Sequence, residues 1–233
     1  VSTTTISSGR NENGEETKIV ITETVTTKPD GTRSVSKGTR ETYTDPNGNT
    51  VEIGRDDDES DESDGSSKTS TTKTRGYSDS EGNSESDTEQ DTHVVNPDGT
   101  TEDTSYTSGK KGDKDGNIEQ DESAEGSSSD GHSGSYEGTT SVKTDSDGNQ
   151  DVDKSEHTSK SDGEGNDEEE QTDTSGTVNT DGSGNVKVTT TKWVRGKDGE
   201  WIEGTKTEET SQDADGNVSG QASVSGTSSE GDK

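Results

Sequence analysis

Three stretches of the sequence place two aspartates at alternate positions immediately before a glycine. Hard carboxylate oxygens at this spacing suit Ca²⁺ and match part of an EF-hand loop. These stretches are therefore candidate calcium sites. The paired carboxylates are Asp113 with Asp115, Asp145 with Asp147, and Asp213 with Asp215.

A plain chain reversal is the alternative interpretation of each stretch. In the fullest match, which extends to Glu122, Lys111 occupies the first ligand position, and the amphipathic helices that flank an EF-hand are missing. The turn interpretation is therefore favoured at each place taken singly. The chain as a whole carries 54 acidic and 22 basic residues, a net charge of −32, so we expect it to bind Ca²⁺ loosely at many positions.

No constellation of residues in the sequence predicts catalysis. The histidines, His93, His132 and His157, are far apart, and we expect them to be solvated surface residues. Glycine-rich stretches such as Gly163-Glu164-Gly165 lack the Lys-Ser/Thr pair and the following helix of a phosphate-binding loop. We therefore expect a protein that is not an enzyme and that uses no cofactor apart from the calcium considered above.

The composition excludes a conventional hydrophobic core and several classes of partner. Hydrophobic residues make up 13% of the 233, with no Phe, Met or Cys, whereas globular folding depends on extensive apolar burial. The acidic excess disfavours nucleic acid, and the longest apolar run, Ile19-Val20-Ile21, is far too short for a membrane helix. The sequence starts at Val1 and has no Met, so we expect a processed product or a fragment.

A glycine preceded by an acidic residue or its amide recurs every 17 residues, with one step of 15. Such dipeptides reach positive φ at little cost and suit the two-residue type I′ loops of β-hairpins. Each pair therefore predicts a chain reversal, within a single repetitive region that runs through residues 1–233. The repeated glycines are Gly14, Gly31, Gly48, Gly65, Gly82, Gly99, Gly116, Gly131, Gly148, Gly165, Gly182, Gly199 and Gly216.

The segments between these glycines are rich in Thr, Ser and Val, which favour β-strands, and they show no 3.6-residue apolar stripe. Two all-β folds fit: an antiparallel β-meander with one strand per repeat, or a β-solenoid with one coil per repeat. A solenoid needs an inward apolar column, yet the fourth position after the glycine includes Lys18, Glu52 and Asp103. We therefore predict the meander, assembled into a fibre or stacked sheets because its long strands leave edges that invite pairing.

Two-residue loops would fix particular partners on neighbouring strands. Across the Asp64-Gly65 turn, Asp56 would face Lys73, and farther along the chain Trp193 would cover the bare backbone of Gly204. Residues 55–180 form a more acidic, Ser- and Gly-rich middle, which we expect to be the weaker part of the structure.

Parts of the sequence resemble silk proteins. Lys18–Thr22 leading to Pro29–Thr32, and Thr144–Asn149, resemble the strand-turn-strand amino-terminal region of lepidopteran silk fibroin, and the acidic middle resembles sericin-type silk glue. The chain has fewer apolar residues than fibroin-type domains and is more acidic than sericins. The resemblance implies a secreted, extracellular structural protein that forms an antiparallel β assembly.

These observations predict a non-catalytic structural component of an extracellular fibre, coat or adhesive. Its expected partner is another copy of itself, together with other matrix proteins, whereas nucleic acid and membrane are not expected. Two alternatives stay open. One is an acidic calcium- or mineral-binding matrix protein, and the other is a disordered solvating region that a partner orders.

Overall fold

The computed structural model describes residues 1–229 and contains fourteen antiparallel strands in one meander sheet, whose strand order is the chain order. The predicted repetitive all-β meander is confirmed, and the alternative solenoid is wrong. Within residues 1–229 no helix is long and apolar enough to cross a membrane. The strands are β1 Ser2–Arg10, β2 Glu16–Thr27, β3 Arg33–Thr44, β4 Thr50–Asp61, β5 Ser67–Ser78, β6 Ser84–Val95, β7 Thr101–Gly112, β8 Ile118–Ser128, β9 Ser133–Thr144, β10 Gln150–Ser161, β11 Asp167–Val178, β12 Gly184–Arg195, β13 Trp201–Gln212 and β14 Val218–Ser228.

The chain divides into two compact units. Unit 1 comprises Val1–Lys114 with Gly126–Asp130 and contains β1–β7, whereas unit 2 comprises Asp115–Glu125 with Gly131–Lys233 and contains β9–β14. Residues of β8 belong to both. Most strands have 12 residues and are joined by five-residue loops, which produces the 17-residue repeat. The 15-residue step arises because β8 has 11 residues and the loop after it is one residue shorter.

Each of the thirteen repeated glycines lies in a loop and has a positive φ, between 81° and 101°. Within residues 1–229 no residue other than glycine has a positive φ, so the predicted type I′ loops, which need two such residues, are wrong. In the loop Asp45–Asn49 the Gly48 amide donates to the Asp45 carbonyl at 3.1 Å, and the Asp45 amide donates to the Asn49 carbonyl at 2.9 Å. Five residues separate the two strands, but only three lie between the hydrogen-bonded residues Asp45 and Asn49. This is the three-residue loop with a G1 bulge, in which a type I turn is followed by a left-handed glycine.

The extra loop residue moves every cross-strand partner by one position. Asp56 pairs with Thr72 across β4 and β5, so the predicted facing of Asp56 and Lys73 is wrong. Because side chains alternate between the faces of a sheet, Asp56 and Lys73 lie on opposite faces. The three-residue loop sets this register, whereas a two-residue loop would pair Asp56 with Lys73.

The predicted covering of Gly204 is wrong for the same reason, since Trp193 pairs with Glu203 and lies on the other face. A comparable arrangement occurs at Gly138, which is buried. The Tyr136 hydroxyl reaches past Gly138 and donates to Glu156, the cross-strand partner of Gly138, at 3.1 Å. An added Cβ at Gly138 would lie 2.9 Å from the Tyr136 ring, so glycine leaves the room that this contact needs.

In unit 1, every described pair of β1–β7 joins even-numbered residues with even and odd with odd. We therefore name the two surfaces of each unit the even face and the odd face. On the odd face of unit 1 the apolar side chains are Ile19, Ile21, Val25, Val35, Tyr43, Val51, Ile53, Tyr77 and Val95. On its even face they are Ile6, Val20, Val94 and Tyr106.

In β9–β14 of unit 2, too, even-numbered residues pair with even-numbered residues and odd with odd. The apolar side chains of this unit, however, are concentrated on the even face. They are Tyr136, Val142, Val152, Val178, Val186, Val188, Val194, Ile202, Val218, Ala222 and Val224. The odd face carries the two tryptophans, Trp193 and Trp201, among hydroxyl, amide and charged side chains. Each unit thus has one face richer in apolar groups than the other.

No hydrophobic residue within 1–229 is buried. Ile53 in unit 1 and Val186 in unit 2 remain 45% and 43% exposed. Burial of apolar surface, the main stabilising force of globular domains, is therefore small in the isolated sheet. Backbone ladders and the loops that join them must supply much of what holds each unit together.

Candidate functional site

Six loops open with an aspartate and close with an asparagine directly after the turn glycine. We name five of them, whose capping bonds are given below, Asn-closed loops. In the loop 45–49, Asp45 accepts from the Asn47 amide at 2.8 Å, the Asn49 amide at 2.9 Å and the Asn49 side-chain amide at 2.8 Å. The same three donors converge on the opening aspartate in each of the others. The Asn-closed loops are 45–49, 79–83, 145–149, 162–166 and 213–217.

The closing asparagine also connects its loop to a second loop 31 residues farther along the chain. The Asn49 side-chain oxygen accepts from the Ser80 backbone amide at 3.1 Å. Equivalent bonds run from Lys114 to Asn83, from Thr180 to Asn149 and from Lys197 to Asn166, at 3.1–3.2 Å. We name this bond the Asn link.

Four further loops are closed by Ser or Thr after the glycine, and we name them Ser/Thr-closed loops. Here the aspartate immediately before the glycine is the acceptor: Asp30 takes bonds from the Thr32 amide at 3.0 Å and the Thr32 hydroxyl at 2.7 Å. The same pair of bonds forms in every member of the group. The capping aspartates are Asp30, Asp64, Asp98 and Asp181.

The two loop types lie at opposite ends of the strands of unit 1. We call the two rows of loops at these strand ends the edges of unit 1, as distinct from its edge strands. Consecutive loops of a meander lie at alternate ends of the strands, so the Asn-closed loops 45–49 and 79–83 share one edge. The Ser/Thr-closed loops 28–32, 62–66 and 96–100 share the other. On that second edge neighbouring loops are connected by an exposed ion pair, in which Lys28 Nζ lies 3.2 Å from Glu62 Oε2.

All nine capping aspartates have a pKa below the ordinary value of the residue. The side-chain amide and then the backbone amide of Asn83 lower the pKa of Asp79, and the backbone amide and hydroxyl of Thr100 do so for Asp98. At Asp45 partial burial acts most strongly and in the raising direction, but the bonds from Asn49 outweigh it and the pKa is lowered. The pKa is lowered in the same direction at Asp30, Asp64, Asp145, Asp162, Asp181 and Asp213. The caps are therefore charged at neutral pH.

The structure assigns different positions to the two members of each predicted calcium pair. Asp145 and Asp213 are capping residues whose two carboxylate oxygens both accept hydrogen bonds. Asp147 and Asp215 lie at the turn apex and donate their backbone amides to those caps.

The third predicted pair, Asp113 and Asp115, lies in the loop between β7 and β8. The three pairs stay in separate loops. No group of three or more His, Cys, Asp or Glu side chains is arranged to hold a metal ion among residues 1–229. Calcium binding at these aspartates stays a prediction.

One histidine has a partner that sequence reasoning missed. His93 on β6 lies opposite Asp103 on β7, with His93 Nδ1 2.6 Å from Asp103 Oδ1. Nothing in the local sequence around either residue indicates the pair, since it depends on the register of two strands. Near His157, the Ser155 hydroxyl donates to Asp173 at 2.8 Å, so it is not directed at the imidazole as a serine nucleophile would be.

Comparison with known proteins found no matching family model, no matching curated protein and no matching solved structure. The likeness to silk proteins therefore stays an expectation that depends on the turn and strand motifs.

Exposed ion pairs lie along the strands of unit 1. On the odd face, Lys37 lies between Glu23 and Asp57, with Lys37 Nζ 3.7 Å from Glu23 Oε1. On the same face Lys73 Nζ is 3.0 Å from Glu89 Oε2, its cross-strand partner. These side chains are about half exposed, so each pair adds little stability, but opposite charges in register disfavour a slipped pairing.

Proposed function

We propose that this chain is a non-catalytic structural component of an extracellular fibre, coat or adhesive, and that it works by associating with further copies of itself. The observation that carries the proposal is a two-faced sheet with no buried hydrophobic residue within 1–229. A sheet face with apolar side chains is normally packed against another layer. A second sheet stacked at about 10 Å would cover that face.

The even face of unit 2 is the clearest candidate for such stacking. Val142 and Val152 are cross-strand partners, and Val152 and Val186 both pair with Gly176, so one row of small apolar groups crosses four strands. Ile202 on the same face is 62% exposed. Covering this face would remove apolar surface from water at about 25 cal/mol per Å².

The acidic surface supports the hydrated part of the proposed function. A net charge of −32 makes copies repel one another at low ionic strength. Salt shortens the range of this repulsion to about 8 Å at physiological ionic strength. We therefore expect association to increase with salt, leaving carboxylates on the surface to bind water and cations.

Two substitutions at adjacent positions of β12 test the role of the even face. Val186→Lys places a charge on the even face, whereas Asn185→Lys places the same charge on the odd face of the same strand. Sedimentation velocity and light scattering at several salt concentrations should show less association for Val186→Lys than for Asn185→Lys. Diffraction from aligned, assembled material should show spacings of about 4.7–4.9 Å and 10 Å.

Equal association of the two variants, or a monomeric chain under all these conditions, would contradict the proposal. A random-coil far-ultraviolet circular dichroism spectrum of the dilute chain, with strand signal restored by a partner, would instead support the disordered solvating region.

A second candidate function, calcium or mineral binding, is favoured by the turn-apex carboxylates. The side chains of Asp147 and Asp215 make no hydrogen bond or ion pair within residues 1–229, in contrast to the caps Asp145 and Asp213 beside them. Calorimetric titration with Ca²⁺ tests this candidate. Asp147→Asn with Asp215→Asn should reduce the heat of binding, and an unchanged titration would argue against these carboxylates as ligands.

A further inference from the structure

We propose a second function for this sheet: reversible lengthening under load, in which strands detach one at a time and pair again when the load is removed. The proposal goes beyond association, because it concerns one chain and holds whether or not copies stack. Three features of the units carry it, namely the pattern of strand contacts, the missing shared core and the self-contained loops.

Contacts between strands are strictly local along the chain. Within β1–β7 of unit 1, and within β9–β14 of unit 2, each described strand contacts the strand before it and the strand after it and no other. Detaching an outer strand therefore breaks the ladder to one neighbour and leaves the remaining ladders complete. A fold in which distant segments interlock would lose several sets of contacts at once.

The units also lack the feature that makes small domains unfold as a block. Cooperative unfolding depends on a core that all elements share, and no hydrophobic residue within 1–229 is buried. Where each repeat touches only its neighbours, stability is close to a sum of repeat and interface contributions. Such an array can lose repeats one after another.

Each capped loop is stabilised by its own residues. Asp45 takes its three bonds from Asn47 and Asn49, all within one five-residue loop. The Asn link from Asn49 to Ser80 is a single hydrogen bond between loops two strands apart. A strand that detaches therefore opens only the cap of the loop that joins it to the sheet, and the loss of one Asn link does not disturb the caps of the loops that remain.

The geometry sets the length that each detachment releases. One repeat of 17 residues spans about 60 Å when extended, at roughly 3.3–3.6 Å per residue. In the sheet the same repeat adds only the strand spacing of about 4.8 Å across the strands. Each event should release about 55 Å. Hairpins pair again in roughly 1–10 μs because their contacts are local, so the lost length is recovered quickly.

Single-molecule force measurement on the full chain, held by its two ends through flexible handles, tests the proposal. We expect a series of small releases of about 55 Å each, and the same series on the next pull after relaxation. One large release of the whole length would overturn the proposal, because it would show block unfolding. Smooth extension without steps would also overturn it, because it would show that single chains hold no hairpins.

An engineered crosslink between two paired strands tests whether the releases come from the detachment of strands. Ser70 on β5 and Thr92 on β6 are cross-strand partners with their hydroxyl oxygens 3.3 Å apart, and Cα separations of about 4.5–5.5 Å in such pairs allow a disulfide. The chain has no Cys of its own. When oxidised, Ser70→Cys with Thr92→Cys should shorten the total released length by about 75 Å, because the chain between the two crosslinked residues can no longer extend. The other releases should stay in place, and reduction should restore the full length.

Ser70→Ala with Thr92→Ala is the matched control and should retain every release. If the oxidised pair abolishes all releases, strands detach as a block and the proposal is wrong. Light scattering of the same samples keeps the two proposals apart. Chains that show the series of small releases but never associate contradict the assembly proposal alone. Chains that associate but show no such series contradict the lengthening proposal alone.

Discussion

The two edges of unit 1 make the same chain reversal with different residues. On one edge, the Asn-closed loops 45–49 and 79–83 use the opening aspartate as the cap, and Asn49 continues to the next loop through Ser80. On the other edge, the Ser/Thr-closed loops use the aspartate before the glycine, and Lys28 and Glu62 connect two loops through an exposed ion pair. The left-handed glycine and one carboxylate are thus common to both loop types, whereas the bond between loops uses the closing Asn49 on one edge and the opening Lys28 and Glu62 on the other.

Acidification should have the largest effect, and it should act on both edges alike. The pKa of every capping aspartate is lower in the fold, so these groups stabilise the sheet above the ordinary aspartate pKa of about 3.9. That contribution is lost as the pH falls through the lower folded values. Thermal unfolding in 1 M salt, where charge repulsion is screened to about 3 Å, should show a falling midpoint below about pH 4. A midpoint that rises on acidification would mean that the caps add little.

Replacement of the turn glycine should rank second and should again affect the two edges equally. Gly31→Val and Gly48→Val each force a β-branched residue into a φ near 90°, at a cost of about 1–2 kcal/mol. At Gly9, within β1, an added Cβ meets nothing within 4 Å, so Gly9→Val serves as the control and should cost nothing. Urea unfolding of the three variants measures the difference. A loss at one edge alone would show that the loops differ in backbone geometry.

Removal of the closing side chain should have different effects at the two edges. Asn49→Ala deletes the link to Ser80 as well as a bond to Asp45, and each bond contributes about 1 kcal/mol net. Thr32→Ala deletes only the hydroxyl bond to Asp30 within its own loop. Amide hydrogen exchange at Ser80 should become faster in Asn49→Ala, whereas Thr32→Ala should change exchange only in its own loop. Unchanged protection at Ser80 would remove the distinction between the edges.

The smallest effect should come from the ion pair on the Ser/Thr-closed edge. Both side chains are about half exposed, so Lys28→Ala should lower the unfolding midpoint slightly at low salt and not at all at high salt. The effect of Asn49→Ala should persist at high salt, because the Asn link joins uncharged groups. The unfolding midpoints of Lys28→Ala and of the unchanged chain, measured at low and at high salt, should differ only at low salt.

The all-β meander was predictable because turn glycines recur at a fixed spacing and the residues between them favour strands. The register was not, because Asp-Gly dipeptides suit both two-residue and three-residue loops, and the choice decides whether Asp56 faces Lys73 or Thr72. That one-residue difference also determines which face each side chain occupies. The glycine pattern therefore locates the loops without settling their geometry.

The capping residues were partly visible in the sequence. The spacing of Asp145 and Asp213 to the glycine is visible in the sequence, but it is compatible with a calcium ligand and with a turn cap. The hydrogen bonds of the loop are needed to tell the two apart. The asparagine after the glycine, as at Asn49, has a local role, because its side-chain amide donates to Asp45. Its second role is not visible in the local sequence, because its oxygen bonds to a loop 31 residues away. The pair of His93 and Asp103 was invisible for a similar reason, since only the strand register brings it together.

Nuclear magnetic resonance contacts between backbone protons of β4 and β5 test most directly the claim that capped three-residue loops set this sheet. The structure predicts contacts between partners such as Asp57 and Thr71, or Asp61 and Ser67, whose residue numbers add to 128. Contacts between residues whose numbers add to 129, as a two-residue loop would produce, would contradict the account, and so would the absence of any cross-strand contact.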